Sequence, residues 1–124
     1  MEFKERQAIY MQIADMICER ILGAQLHEGD KVPSIRETAV STEVNPNTVT
    51  RTYAYLQEKG VIQTQRGIGY FVAPGAASRI LGLKRTEFLS NELPRLFRTI
   101  DILHIDFKEI EEMYHSYLRG KEAS

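Results

Sequence analysis

Cysteine is almost missing from the sequence: Cys18 is the only one in 124 residues. A single thiol cannot close an intramolecular disulfide and leaves no basis for a cysteine metal site. Long apolar runs are missing too. No stretch approaches the roughly 18–20 uninterrupted apolar residues that a membrane helix needs, so no membrane partner is expected. The N-terminal run Met1-Glu2-Phe3-Lys4-Glu5-Arg6 is charged and lacks the apolar region of a signal peptide, which places the expected location in the cytoplasm. Charge of one sign is also scarce: 16 Lys and Arg stand against 17 Asp and Glu, for a net charge of −1. The whole-chain balance therefore does not point to nucleic acid. Only a local excess could do so. Between Asn45 and Tyr70, Arg51, Lys59 and Arg66 stand against Glu58 alone, while acids gather from Glu2 to Glu19 and at Glu109, Glu111 and Glu112.

Catalytic signals are equally thin. His27, His104 and His115 are scattered without partners at ligand or triad spacing, and the Glu109–Glu112 carboxylates read as a solvated helix face. There is no phosphate loop, nucleophile elbow or metal motif. The expectation is a protein that is not an enzyme, with no catalytic residues, no metal and no cofactor. A hydrophobic share of 43% and a charged share of 27% suit a soluble globular chain. Its length leaves room for one ordinary domain, or for one small domain and an appendage.

Hydrophobic spacing supplies the elements. Ile9, Ile13, Ile17 and Ile21 recur every four residues, one face of an amphipathic helix that ends near Gly23, with Tyr10 and Met16 widening the stripe. A turn-rich connector follows, from Leu26 to Pro33. Ser34 stands three residues before Glu37, the spacing of a capping box, and predicts a short second helix carrying Ile35 and Ala39. Asn45-Pro46 predicts a third: Asn is a favoured cap, and Pro suits the first helical position because its missing N–H has no partner there anyway. Gly60 stops that helix near Lys59. Its stripe of Val49, Tyr53 and Leu56 leaves Asn47, Thr50, Arg51 and Ala54 on the far side. Val61–Gln65 and Tyr70–Val72 read as two strands joined by Arg66-Gly67-Ile68-Gly69, a glycine hairpin. Three helices and a hairpin make a winged helix-turn-helix.

A helix entering the major groove needs small polar and cationic side chains near its N-terminus, where base edges come within reach. Asn45, Asn47, Thr48, Thr50 and Arg51 meet that need. Plainer readings stand beside it: Asn45 as a cap, Thr48 as a solvated helix residue, Arg51 as a surface charge. Arg36 falls where the motif crosses the DNA backbone. Arg66, Gly67 and Gly69 form a wing tip suited to a minor-groove or phosphate contact, since glycine permits close backbone approach.

After Pro74-Gly75 the pattern changes. Leu89, Leu93, Leu96, Ile100 and Leu103 step by alternating fours and threes, a helix-packing seam. Pro94 lies inside it and should kink the helix by removing one backbone hydrogen bond. Asp106, three residues before Glu109, looks like the cap of a last helix striped by Phe107, Ile110, Tyr114 and Tyr117. One two-helix arm offers too little surface to bury both stripes, so a second copy is expected to cover them. The alternative is an arm folded back on its own winged helix. A two-fold dimer would read an inverted repeat with half-sites about one helical turn or slightly more apart.

Several of these runs resemble the DNA-binding domain of GntR-family bacterial regulators: Ile9-Tyr10-Met11-Gln12-Ile13-Ala14, Gly29–Glu37, Val44–Arg51 and Gly60–Val72. The likeness covers about residues 7–73. It implies operator contacts by Arg36, Asn47, Thr48, Thr50, Arg66, Gly67 and Gly69. With Ser34, Asn45 and Arg51 added, these make up the expected DNA-binding set. Many members carry Ser-Arg where this chain has Asn45-Pro46, and a second arginine at Thr50, so their operators do not transfer. Asn45-Pro46-Asn47-Thr48-Val49 is similar instead to the YtrA-like subgroup, whose short tail of about two helices dimerises. That resemblance implies repression of an operon, often one for an ATP-driven membrane transporter.

The expected architecture is mainly α with a small β-hairpin wing. A winged helix-turn-helix spans 1–74, and a two-helix dimerisation arm spans 75–124. Its expected partners are double-stranded operator DNA and a second copy. No residue set points to a small-molecule effector, and the arm is too short to form a separate ligand domain of usual size. A protein-docking winged helix is the competing reading; in that case the three arginines need not share a face.

Overall fold

The structure is a computed structural model and describes residues 7–123; the charged Met1–Arg6 run lies outside them. Helix α1 (Ile9–Leu22) buries Ile13, Ala14, Ile17, Cys18 and Ile21. Ile9 departs from the expected stripe and is 51% exposed. The small Ala14 and Cys18 fill the inner face instead, one turn further on.

Helix α2 (Ile35–Thr42) starts on a complete capping box. The Ser34 hydroxyl accepts from the Glu37 N–H at 3.0 Å, and the Glu37 carboxylate accepts from the Ser34 N–H at 2.8 Å. Two N–H groups that the helix leaves without partners are thereby satisfied. Helix α3 (Pro46–Glu58) is capped by Asn45, whose side-chain oxygen accepts from the Asn47 N–H at 2.8 Å. It buries Val49, Thr52, Tyr53 and Leu56. Gly60 ends it with φ +76°, where an added Cβ would come within 3.0 Å of the Arg79 side chain.

Three strands follow the chain order β1 (Lys31–Val32), β2 (Ile62–Gln65) and β3 (Gly69–Val72). They form one antiparallel sheet in the order β1-β3-β2. The hairpin of β2 and β3 was expected; β1 was read as part of a turn-rich connector. Two residues carry no alternation to recognise. Lys31 and Val32 become a strand only because Phe71 and Tyr70 lie beside them. The protein is thus mainly helical with a small three-stranded sheet.

The described chain parts into two compact units between Leu83 and Lys84. In the first, Val32, Val49, Tyr53, Leu56, Val61 and Val72 are fully buried, and Ala76 and Ile80 of helix α4 (Ala76–Glu87) join the same core.

The second unit contains a π-helical turn (Phe88–Glu92) and helices α5 (Leu93–Ile102) and α6 (Phe107–Ala123). Where a kink was expected at Pro94, the chain carries that π turn directly before it. Leu93 N–H bonds the Phe88 carbonyl five residues back, so the wider turn comes just before the residue that has no N–H to give. Asp106 caps α6, its carboxylate accepting from the Lys108 N–H at 3.1 Å. From residue 84 to residue 122 no side chain is buried. No described helix is long and apolar enough to cross a membrane.

Candidate nucleic-acid interface

The placement of α3 depends on two buried hydroxyls. Tyr53 donates to the Pro33 carbonyl at 2.6 Å. That bond uses its only proton, so the Thr38 hydroxyl, 2.8 Å away, donates to the phenolic oxygen. Tyr53 therefore ties α3 to α2 and to the connector ahead of it, and its ring meets Tyr70 of β3 edge-on at 4.9 Å. Burial pushes the Tyr53 phenol above its ordinary pKa, against the opposing pull of the Thr38 hydrogen bond. On the other side, the buried Thr52 donates to the Tyr10 carbonyl at 2.7 Å and fixes α3 to the first turn of α1.

These ties leave the N-terminal half of α3 facing outward. Asn47, Thr50 and Arg51 are exposed, and Thr48 is half-buried. Asn47, Thr48 and Arg51 meet Ala8, Ile9 and Tyr10 around an open hollow of about 350 Å³. Thr50 is less free than its exposure suggests, because its hydroxyl donates to the Pro46 carbonyl at 3.0 Å. Asn45 spends its side-chain oxygen on the cap, and its side-chain N–H groups remain for a partner. Ser34 is half-buried, its oxygen held in the capping box. Arg36 is exposed on the first turn of α2.

The wing is a hairpin whose last pair is Gln65 with Gly69, leaving Arg66, Gly67 and Ile68 as its tip. Gly67 holds φ +77° and has open space where a Cβ would stand. At Gly69, by contrast, a Cβ would sit 3.1 Å from the Lys31 side chain. Lys31 thus runs along the wing. Its charge also contributes to holding the Glu37 carboxyl below its ordinary pKa, after the larger effects of the Ser34 N–H and hydroxyl.

The structure thus gathers the expected residues into two local groups. Asn47, Thr48 and Arg51 share the hollow beside α1, and Gly69 lies with Lys31 beside the α2 cap. Among the described residues no hydrogen bond or ion pair joins Arg36 or Arg66 to either group, although Arg66 stands in the same hairpin turn as Gly69. Lys31 and Tyr10, which lie beside these groups, were not among the expected residues. Lys31 sits in the run Gly29-Asp30-Lys31-Val32-Pro33, and a cation beside a helix cap was the available signal. Tyr10 was read only as the edge of an apolar stripe. Among the described residues no group of three His, Cys, Asp or Glu could hold a metal ion.

The sequence profile of bacterial regulatory proteins of the gntR family matches residues 9–72. Over 75 residues the chain is 47% identical to the uncharacterized HTH-type transcriptional regulator YhcF of Bacillus subtilis, a stretch covering 60% of this chain and 62% of YhcF. It is 32% identical over 104 residues to the HTH-type transcriptional repressor YtrA of the same organism, covering 84% of this chain and 79% of YtrA. The crystal structure of a GntR-family protein from Bacteroides thetaiotaomicron matches with a TM-score of 0.80 at 47% identity, over 92% of this chain and 99% of that one. The DNA-binding domain of AraR, solved in complex with operator ORR3, matches with a TM-score of 0.50 at 25% identity, over 52% of this chain and 77% of that one.

Proposed function

The chain belongs to the gntR family of bacterial regulatory proteins and is a DNA-binding transcriptional regulator; from that premise we propose that it is a repressor acting as a homodimer on an inverted-repeat operator. The observation that carries the dimer is the second unit, in which large apolar side chains abound and none is buried. Leu89, Leu96, Leu103, Phe107, Tyr114 and Tyr117 are all 43% exposed or more, and Leu93, Ile100 and Ile110 are half-buried. Phe88, Phe97, Ile102 and Met113, outside the expected seam, add to the exposed apolar surface. A soluble monomer rarely leaves so much apolar surface contiguous to water, and a second copy is the partner every chain of this protein has available. A two-fold pair presents two recognition helices and matches a two-fold operator.

On each copy, Arg36, Asn47, Thr48 and Arg51 face the duplex, with Ser34, Asn45 and Thr50 adding polar contacts at the helix starts. Arg66, Gly67 and Gly69 follow the backbone or the minor groove. Lys31 joins this set as a phosphate contact from beside the wing. Support for operator binding comes from AraR, whose matching domain is solved on its operator. Support for repression comes from the likeness to YtrA, which is named a repressor. The resemblance to YtrA-like regulators further suggests a transporter operon as the target, regulated in the cytoplasm.

The test is selection of sites from random duplex DNA at two salt concentrations, alongside sedimentation of the free protein. An enriched inverted repeat, bound by a dimer with affinity that falls steeply with salt, is the expected result. A monomer at micromolar concentration would overturn the dimer. No enrichment at either salt would overturn sequence-specific binding.

A further inference from the structure

Arg51 does not hang free in solvent. Its guanidinium carbon lies 4.0 Å from the centre of the Tyr10 ring, well within the range at which a cation is attracted to an aromatic face. The stack continues along the helix pair. Tyr10 meets Tyr55 edge-on at 6.4 Å, and the Lys59 ammonium lies 5.8 Å from the Tyr55 ring. Arg51 of α3 and Lys59 at its C-terminal cap thus each lie over a ring, one from α1 and one from α3. The Tyr10 backbone is itself fixed, since its carbonyl accepts from the buried Thr52.

A free arginine side chain samples many rotamers, and ordering it on binding carries an entropic cost. A guanidinium laid on a ring loses much of that freedom beforehand, while its N–H groups, which lie in its own plane, keep their edges for acceptors. Arg51 also opens onto the hollow shared with Asn47 and Thr48. We propose that Tyr10 is a positioning residue for DNA binding: its ring holds Arg51 in the orientation in which it meets the duplex. This proposal rests on the reading of Arg51 as a DNA contact. It adds that a residue of the first helix, outside the helix-turn-helix itself, sets part of the affinity.

The experiment is a double-mutant cycle on the whole 124-residue chain with a duplex selected by the wild type. Tyr10→Leu should weaken binding about two- to tenfold, the cost of ordering one long side chain on binding, and Tyr10→Phe should keep near wild-type affinity. Arg51→Ala should weaken binding, and adding Tyr10→Leu to it should cost nothing more. Replacing Tyr10 with pentafluorophenylalanine keeps the ring's size and reverses its charge distribution. That variant should lose affinity to the extent expected of Tyr10→Leu, so the test stands even if the leucine variant does not fold. The spectroscopic signature is an upfield displacement of the Arg51 side-chain protons, present in wild type and Tyr10→Phe and lost in Tyr10→Leu. Wild-type affinity in Tyr10→Leu or in the fluorinated variant, or losses that multiply in the double mutant, would overturn the proposal while leaving DNA binding standing. A wild-type protein that selects no duplex would overturn the DNA reading and this proposal together.

Discussion

The Tyr53 hydroxyl lies 2.6 Å from the Pro33 carbonyl, so α3 is hydrogen-bonded to the connector ahead of the second helix, 20 positions earlier in the chain. The same oxygen accepts from Thr38, and the phenol is fully buried. One side chain therefore sets the spacing of the two helices of the helix-turn-helix and their distance from the sheet.

Tyr53→Phe should lower stability by about 1–3 kcal/mol, because a buried hydroxyl and a carbonyl lose their partner. The pH dependence has a definite sign. With its pKa raised by burial from an ordinary 10.0, the neutral phenol contributes stability that is complete below about pH 10 and lost as pH rises through the raised value. Urea midpoints of the wild type should fall along that alkaline limb, and the Phe variant should show a flatter one. An identical limb in both proteins would mean another group controls it.

Ser34→Ala should cost about 1 kcal/mol, the usual price of losing a helix cap. Chemical denaturation measures it. The Glu37 half of the box adds an acid dependence. Its pKa is lowered in the fold, so its contribution is present above the ordinary value of 4.5 and is lost as pH falls through the lowered one. Glu37→Gln should remove that loss.

Arg36→Ala, Arg51→Ala and Arg66→Ala should each weaken operator binding while leaving the fold intact. A residue that reads a base should relax preference at one position by roughly 1–3 kcal/mol, whereas a phosphate contact should weaken all sites alike. Lys31→Ala belongs to the second class and should lower the salt slope by about one. Titrations of the selected duplex and its single-base variants separate the classes. Unchanged affinity in the triple arginine variant would refute the assigned face.

Charges placed on the second unit should split the dimer. Leu103→Glu combined with Phe107→Glu puts carboxylates on surface that is 60% and 59% exposed in a single copy, so the lone chain has no reason to unfold. Sedimentation should then show monomers, and operator affinity should fall by more than tenfold as the two-site contact is lost. A dimer that survives both substitutions would place the interface elsewhere.

The helices were legible because their ends are local chemistry. Ser34 with Glu37, and Asn45 with Pro46, satisfy N–H groups within three residues of themselves, and Gly60 supplies the positive φ that ends α3. The hairpin could be read for the same reason, from glycines between two short apolar runs. The exposure of Asn47, Thr50 and Arg51 followed from the burial of Val49, Tyr53 and Leu56 at 100° per residue. The sequence by itself thus determined the order and ends of the main elements and the outward face of α3.

What it could not determine were relations across long stretches of chain. Strand β1 exists because Lys31 pairs with Phe71, and the Lys31 side chain reaches Gly69 only through that pairing. Thr52, a polar residue on a helix, is buried because a carbonyl 42 positions away accepts its proton. Arg51 rests on Tyr10 because that same bond brings α1 alongside. Spacing along a chain encodes which way a side chain points, and only the tertiary structure decides what it meets there.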